Sequence, residues 1–393
     1  MDKSKAIKLI EKLVFLYLLL FPFGQILALR VVFLGSSIRV HPVDVVVFFT
    51  LPILVFGKIG WPKFYKASAS LVLLAVFGLV LSLVEFDPKQ VAVGALYGLR
   101  VVSYGAFFAA IYKLVSAKNK YREILFNALI VVSLEVGVLG LLQYIFLPDL
   151  RFLYAFGWDD HLFRLVGTFL DPGFTGIILA FGGILALVSY IKKGKRIYLL
   201  NLMVLSIALL LSYSRASFVA FVVGLAILFI KTRRNLILLI ASIFLLAIPF
   251  LPRPEGYGVR LERTHSIVSR MVNYNQTLRI IQKSPLFGMG FNNMCAAREK
   301  FLDDNMQESH ACSGADSSIL LILATSGVVG LMLVLYMLRN IMINLLPNIY
   351  SYAFLACFIA LVVHSQFVNS LIYPWVLGYM SILGGISLDK AKG

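Results

Sequence analysis

Charge is scarce in this chain. Only 14% of its 393 residues are Asp, Glu, Lys or Arg, against about 25% in an ordinary soluble domain. With 60% hydrophobic residues and a mean hydropathy of +0.90, that deficit excludes a soluble globular enzyme and a disordered segment. Cysteine is scarcer still. Cys295, Cys312 and Cys357 are too few for a disulfide scaffold, and no Cys-x-x-Cys or Cys/His cluster points to a structural metal. Acids number 19 against 36 basic residues, leaving a net charge of +17.

What the chain has in abundance is apolar blocks of about twenty residues, each able to cross a hydrocarbon core of about 30 Å. Twelve candidate helices result: 13–29, 43–57, 68–86, 91–114, 124–148, 174–191, 197–212, 216–231, 235–251, 317–338, 350–369 and 371–387. The second is short and broken by Pro52. The first follows a Lys-rich start but has no small-x-small cleavage site, so it reads as a retained anchor. The expected fold class is an all-α polytopic membrane protein of about twelve transmembrane helices. Residues 1–393 form one integral membrane domain, with a large, partly helical exterior loop, 252–316, before the tenth helix.

Lys and Arg fix the expected orientation. With the N-terminus inside, the cytoplasmic segments hold 21 of the 36 basic residues and four acids. Their excess equals the whole formal charge. The basic balance is therefore a topology signal, and nucleic acid is not needed to explain it. An even number of spans returns the C-terminus to the cytoplasm. The exterior segments carry basic and acidic residues in equal number, concentrated in 149–173 and 252–316. Between Gly258 and Lys283 the spacing predicts a helix, with Ile267, Val268, Met271, Val272, Leu278 and Ile281 as an apolar stripe. Arg263 and Arg270 lie seven apart on one face. A solvated face on an interfacial helix is the plain account of those two arginines.

Four stretches carry polar groups where they are costly. Arg215 lies in Leu211-Ser212-Tyr213-Ser214-Arg215-Ala216-Ser217, between two apolar runs with no real loop. Such an arginine either reaches lipid phosphate or serves as a clamp for a phosphate group, which guanidinium binds through two parallel donors. Ser212, Ser214 and Ser217 can line the same opening. Arg164-Leu165-Val166-Gly167-Thr168-Phe169-Leu170-Asp171-Pro172-Gly173 leads directly into the sixth helix. Arg270 precedes Ser284-Pro285-Leu286-Phe287-Gly288-Met289-Gly290, a helix stop followed by a compact turn. Asp316-Ser317-Ser318 opens the tenth helix, which contains Gly327-Val328-Val329-Gly330, and Asp316 can be read as its N-cap. Arg100 and Glu135, within the fourth and fifth spans, are expected to pair with each other.

The order of these pieces resembles the O-antigen ligase and polymerase superfamily of bacterial membrane glycosyltransferases. Arg-x-x-Gly-Thr-Phe-x-x-Pro is followed by Ser-Arg-Ala, by Arg…Pro-Leu-Phe-Gly-x-Gly, and by a polar pair eleven residues before Gly-Val-Val-Gly. The similarity covers about residues 160 to 335. It implies transfer of a glycan from undecaprenyl diphosphate at the periplasmic face of an inner membrane, to an acceptor glycan or to lipid A–core. It also implies catalytic roles for Arg215, Arg270 and Asp316, and substrate contacts from Arg164, Arg263, Ser214, Tyr274 and His310. Arg260 and Arg279 are weaker candidates. Neither metal nor cofactor is called for. The partners expected are the lipid-linked oligosaccharide, the acceptor and membrane lipid.

Two departures stand out. Ligases usually carry His then Asn where this chain has Asp316 and Ser317, and often Asn where it has Gly173. A carboxylate can also accept a hydroxyl proton, so the reaction type is retained while the balance tips from ligase towards polymerase. A lipid-oligosaccharide flippase and a peptidoglycan-type polymerase are the rival functions. Cys295 and Cys312 both fall in the exterior loop and form a possible disulfide there.

Overall fold

The computed structural model describes residues 2–62, 65–254, 256–302 and 314–389. Helix α1 (Lys3–Leu20) leads into a hairpin of β1 (Leu29–Phe33) and β2 (Ser36–Val40). The short helices α2 (Pro42–Phe48) and α3 (Thr50–Phe56) follow, then α4 (Lys66–Glu85), α5 (Pro88–Ala117) and α6 (Lys120–Phe146). After a loop come α7 (Pro172–Lys193), α8 (Ile197–Leu211), α9 (Arg215–Thr232) and α10 (Asn235–Ala247). The long loop contributes α11 (His265–Lys283) and α12 (Met294–Leu302), and the chain closes with α13 (Ser318–Ile343), α14 (Ile349–His364) and α15 (Pro374–Ser387).

Every apolar block expected from the sequence is helical, and among the described residues six helices are long and apolar enough to cross a membrane: α4, α5, α6, α7, α9 and α13. The boundaries differ in instructive places. Helix α1 starts at Lys3 and stops at Leu20, because Gly24 adopts a conformation no helix accommodates and Phe21–Leu27 tightens into 3-10 turns. The second block breaks at Phe49 rather than at Pro52, which sits in the first turn of α3, where a proline lacks no needed donor. Arg100 pairs with Asp44 on α2 at 2.7 Å. Glu135 lies on the exposed side of α6, so the expected Arg100–Glu135 pair does not form.

Helix α7 is the axis of the bundle. All of its residues from Thr175 to Ser189 are buried, against α6, α8, α9 and α14. Apolar helices in lipid gain little from hydrophobic burial, so close packing and interhelical hydrogen bonds must hold them. Gly176 lets the backbone of α7 approach Ser217 of α9, where a Cβ would fall 2.4 Å from the Ser217 Oγ. Ser133 of α6 meets the Tyr379 hydroxyl of α15 at 3.2 Å. The ends of the helices collect at two opposite poles. One pole carries contacts such as Lys118–Glu11 at 3.2 Å and Lys193–Glu123 at 2.8 Å. The other carries the hairpin, the 149–171 loop, α11 and α12.

At that second pole a smaller core, built from Phe86, Val91, Ile280, Met289, Met294 and Leu321, joins α4 and α13 to the long loop. Its centre is a break in α13. Gly327 has φ +64 and ψ −169, which interrupts the helix and releases backbone groups that an apolar medium cannot satisfy. The Pro285–Gly290 turn satisfies them. The amides of Met289 and Gly290 donate to the carbonyls of Ala324 (2.8 Å) and Thr325 (3.0 Å). Those of Val328 and Val329 donate back to Pro285 (2.9 Å) and Leu286 (3.2 Å). The two glycine-rich motifs are the two halves of one joint.

That joint has no room for a side chain. A Cβ on Gly288 would lie 2.4 Å from Thr325 carbonyl carbon and one on Gly327 would lie 2.2 Å from the Leu286 carbonyl, both at positive φ. Gly288→Ala and Gly327→Ala are each expected to destabilise the protein by roughly 2–4 kcal/mol. Gly98→Ala, where a Cβ meets nothing, should be neutral or slightly stabilising. Thermal unfolding in detergent tests the contrast, and equal midpoints for all three variants would refute the joint.

Candidate functional site

The site is assembled at the pole where α9, α11 and α13 begin or pass. Ser212–Ser214 turns the chain sharply between α8 and α9, with Tyr213 in the left-handed region. Ser214 caps α9 by accepting from the Ser217 amide, and Ser212 Oγ accepts from the Ser214 amide at 3.2 Å. The turn thereby exposes its carbonyls to two arginines. Arg164 donates to Ser212 O (3.2 Å) and Tyr213 O (3.4 Å), and Arg263 reaches Tyr213 O at 3.3 Å.

Arg164 owes its place to the buried segment before α7. Gln143 of α6 accepts from the amides of Val166 (2.9 Å) and Gly167 (3.1 Å), while Thr168 Oγ1 donates to Pro22 O at 2.6 Å. Leu165, Val166 and Phe169 are fully buried. This stretch is a plug that carries Arg164 inwards, and Asp171 then caps α7 through the amides of Gly173 (2.7 Å) and Phe174 (2.8 Å).

Arg215 bonds the loop that launches α11, donating to Leu261 O (2.9 Å), Arg263 O (3.1 Å) and Ser266 Oγ (2.7 Å). Arg270, half-buried on α11, makes no hydrogen bond among the described residues, yet it acts electrostatically on Arg215, Arg263, Asp316 and His364. Arg164, Arg215, Arg263 and Arg270 thus form one cluster, and among the described residues none of the four is ion-paired. Burial first, then neighbouring arginines, pulls Arg164 down to about 9 and Arg263 to about 10. Both keep their charge at neutral pH. Backbone carbonyls hold these cations in place without neutralising them.

Asp316 arrives at the cluster from α13. Its amide donates to Asn273 Oδ1 of α11 at 2.9 Å. The helix cap is Ser317, whose hydroxyl accepts from the Leu320 amide, so the capping role considered for Asp316 belongs to its neighbour. The Asp316 carboxylate accepts no hydrogen bond among the described residues. Burial raises its pKa above the ordinary aspartate value, opposed by Arg270 and Arg298. Tyr274, also on α11, bonds the Gln366 carbonyl, and burial raises its phenol.

The 365–371 linker was not legible as part of the site. It accepts from Tyr274, takes the Ser318 amide on Ser365 O (2.8 Å) and meets Ser318 Oγ through Asn369 (3.3 Å). Beside it, fully buried His364 lies 3.1 Å from Ser217 Oγ and 2.9 Å from Ser370 Oγ. A histidine inside an apolar run carries no motif, and its serine partners stand 147 and six residues away. Of the remaining expected residues, Arg260 and Arg279 are exposed and stay outside the cluster. Cys295 is disulfide-bonded, Cys357 is a buried free thiol, and His310 and Cys312 lie outside the described residues.

A bundle of apolar helices long enough to cross a membrane, with an arginine cluster and a carboxylate gathered at one pole, has the architecture of a polytopic membrane protein. The O-antigen ligase family model matches residues 199–335, which supports the O-antigen ligase and polymerase superfamily. The match runs from α8 through Arg215, α11 and the Pro285–Gly290 turn into α13. No curated protein matches the chain.

His161 makes the cluster sensitive to acid. It is buried against Arg164 and Arg263, and burial and those charges lower its pKa to about 3. In the unfolded chain it takes a proton near 6.5. The fold therefore keeps its full stability above pH 6.5 and loses it as pH falls, by about 2 kcal/mol at pH 5. His161→Asn should remove this part of the pH dependence, measured as unfolding midpoints between pH 7.5 and 5. An unchanged slope would show that His161 titrates normally in the fold.

Proposed function

We propose that this protein transfers a glycan from undecaprenyl diphosphate to an acceptor hydroxyl, on the exterior face of a bacterial inner membrane. The observation that carries the reading is the arginine cluster held on carbonyls, with Arg270 free of hydrogen bonds among the described residues and Asp316 beside it. Negative charge builds on the departing diphosphate oxygen as its bond breaks, and fixed cations in a partly desolvated site stabilise it best. The acceptor oxygen attacks the anomeric carbon, the bond from that carbon to the diphosphate oxygen breaks, and the hydroxyl proton passes to Asp316. The diphosphate leaves with the electron pair of the broken bond. Arg270 and Arg215 hold it, and Arg263 and Arg164 supply field and position.

In this reading twelve segments cross the membrane, both termini are cytoplasmic and the site is periplasmic, as the distribution of Lys and Arg favours. Arginines take the charge-stabilising role a divalent cation fills elsewhere. Aspartate in place of the usual ligase histidine favours chain extension, with a second lipid-linked glycan as acceptor, over transfer to lipid A–core.

Purified protein is expected to convert undecaprenyl-diphosphate oligosaccharide into a ladder of longer lipid-linked products. Arg270→Ala and Arg215→Ala should each lower turnover by about 100-fold or more, with lysine restoring only part because it lacks the planar fork. Asp316→Asn should inactivate without loss of folding, and the wild-type rate should fall on the acid side with a midpoint above that of an ordinary aspartate. Product on lipid A–core alone would make it a ligase. Near-normal turnover in Arg270→Ala and Asp316→Asn would overturn the mechanism.

A further inference from the structure

A second cationic feature lies at the same pole, away from the cluster above. The β1–β2 register places Arg30 directly opposite Arg39. Like charges at such a pair repel, and among the described residues no carboxylate pairs with either. Both are held by neutral contacts instead. Arg30 donates to Phe156 O at 2.7 Å, and the Arg39 guanidinium lies 4.2 Å from the centre of the Trp158 ring.

Arg39 stands at the mouth of a cavity of about 290 Å³ between the hairpin, α2 and α5, walled by Val45, Phe48, Leu99 and Tyr97, with Arg100 at its side. Arg100 is paired with Asp44, which also accepts from the Tyr104 hydroxyl at 3.1 Å. Arg39 and Arg100 thus line the cavity with one carboxylate, Asp44. The groove opens sideways, since Val45, Phe48 and Leu99 are all about 40% exposed or more. Exposed Leu29 and Val31, the cross-strand partners of Val40 and Ile38 in the cavity wall, extend the apolar surface along the hairpin.

We propose that this groove binds an anionic phospholipid of the bilayer, its phosphate between Arg30 and Arg39 and an acyl chain along Val45, Phe48 and Leu99. Charge complementarity selects that occupant. A soluble phosphate would leave the apolar wall uncovered, and an uncharged lipid would leave two facing arginines unneutralised. Two aligned guanidinium groups suit phosphate oxygens. The site has a structural consequence: Trp158 immediately precedes Asp159, whose charge acts on Arg164, Asp171 and Asp316. A lipid seated here braces the loop that reaches the candidate site. The proposal does not depend on the transferase reading.

The test uses the full chain in nanodiscs of phosphatidylcholine with increasing phosphatidylglycerol. Native mass spectrometry should find phosphatidylglycerol retained over phosphatidylcholine by roughly tenfold or more. The thermal midpoint should rise with the phosphatidylglycerol fraction. Arg30→Gln combined with Arg39→Gln should abolish both effects. Val45→Trp keeps every arginine while filling the groove, and should weaken them too, which covers failure of the double variant to fold. No preference in the wild-type protein, or a preference that survives either substitution, overturns the proposal.

Discussion

A backbone amide in hydrocarbon must find an acceptor, and the break in α13 is where this protein meets that requirement in the least expected way. Gly327 opens the helix, and the Pro285–Gly290 turn closes it again through four backbone hydrogen bonds. Each unsatisfied group would cost several kcal/mol, so the turn cannot drift without the helix losing its continuity. Helix α11 ends two residues before that turn, and α13 begins two residues after Asp316. The joint therefore ties the end of α11 to the first half of α13, and with it Arg270 to Asp316.

The cations are positioned by a different device. Arginines ion-paired to carboxylates would be stable and inert. Here the partners are carbonyls of Ser212, Tyr213, Gly258 and Leu261, dipoles that orient a guanidinium while leaving its charge unbalanced. Burying the cluster, and then crowding it, carries a standing penalty, visible in the lowered values of Arg164 and Arg263. An arriving anion relieves it. Residues that hold such a cluster together thus raise its affinity for anions even where they never touch one.

Much of this was legible in the sequence, because membrane helices declare themselves by composition and the polar motifs interrupt them conspicuously. All twelve apolar blocks are helical, and Arg164, Arg215, Arg263, Arg270 and Asp316 converge on one pole. What stayed hidden depends on long-range pairing. The turn at 285–290 and the glycines of α13 each read as local punctuation, since nothing in one names the other. Arg100 found Asp44 rather than Glu135 because α2 packs on α5 at that level. His364 and the 365–371 linker gave no signal, being defined by partners on α9, α11 and α13. The hairpin and α12 were too short and too mixed in composition to announce themselves.

Helix α11 turns Asn273, Tyr274, Thr277 and Ile280 towards the protein, while Ile267, Val268, Met271, Val272 and Leu278 are exposed. In the proposed membrane orientation that outer face rests in the boundary layer between headgroups and acyl chains. Arg270 is then mounted on a float. Lateral pressure in the bilayer, set by chain unsaturation and curvature, would press on the apolar side of the same rod that carries the unbonded cation. Lipid packing would be a variable that tunes the proposed site without any change in the chain.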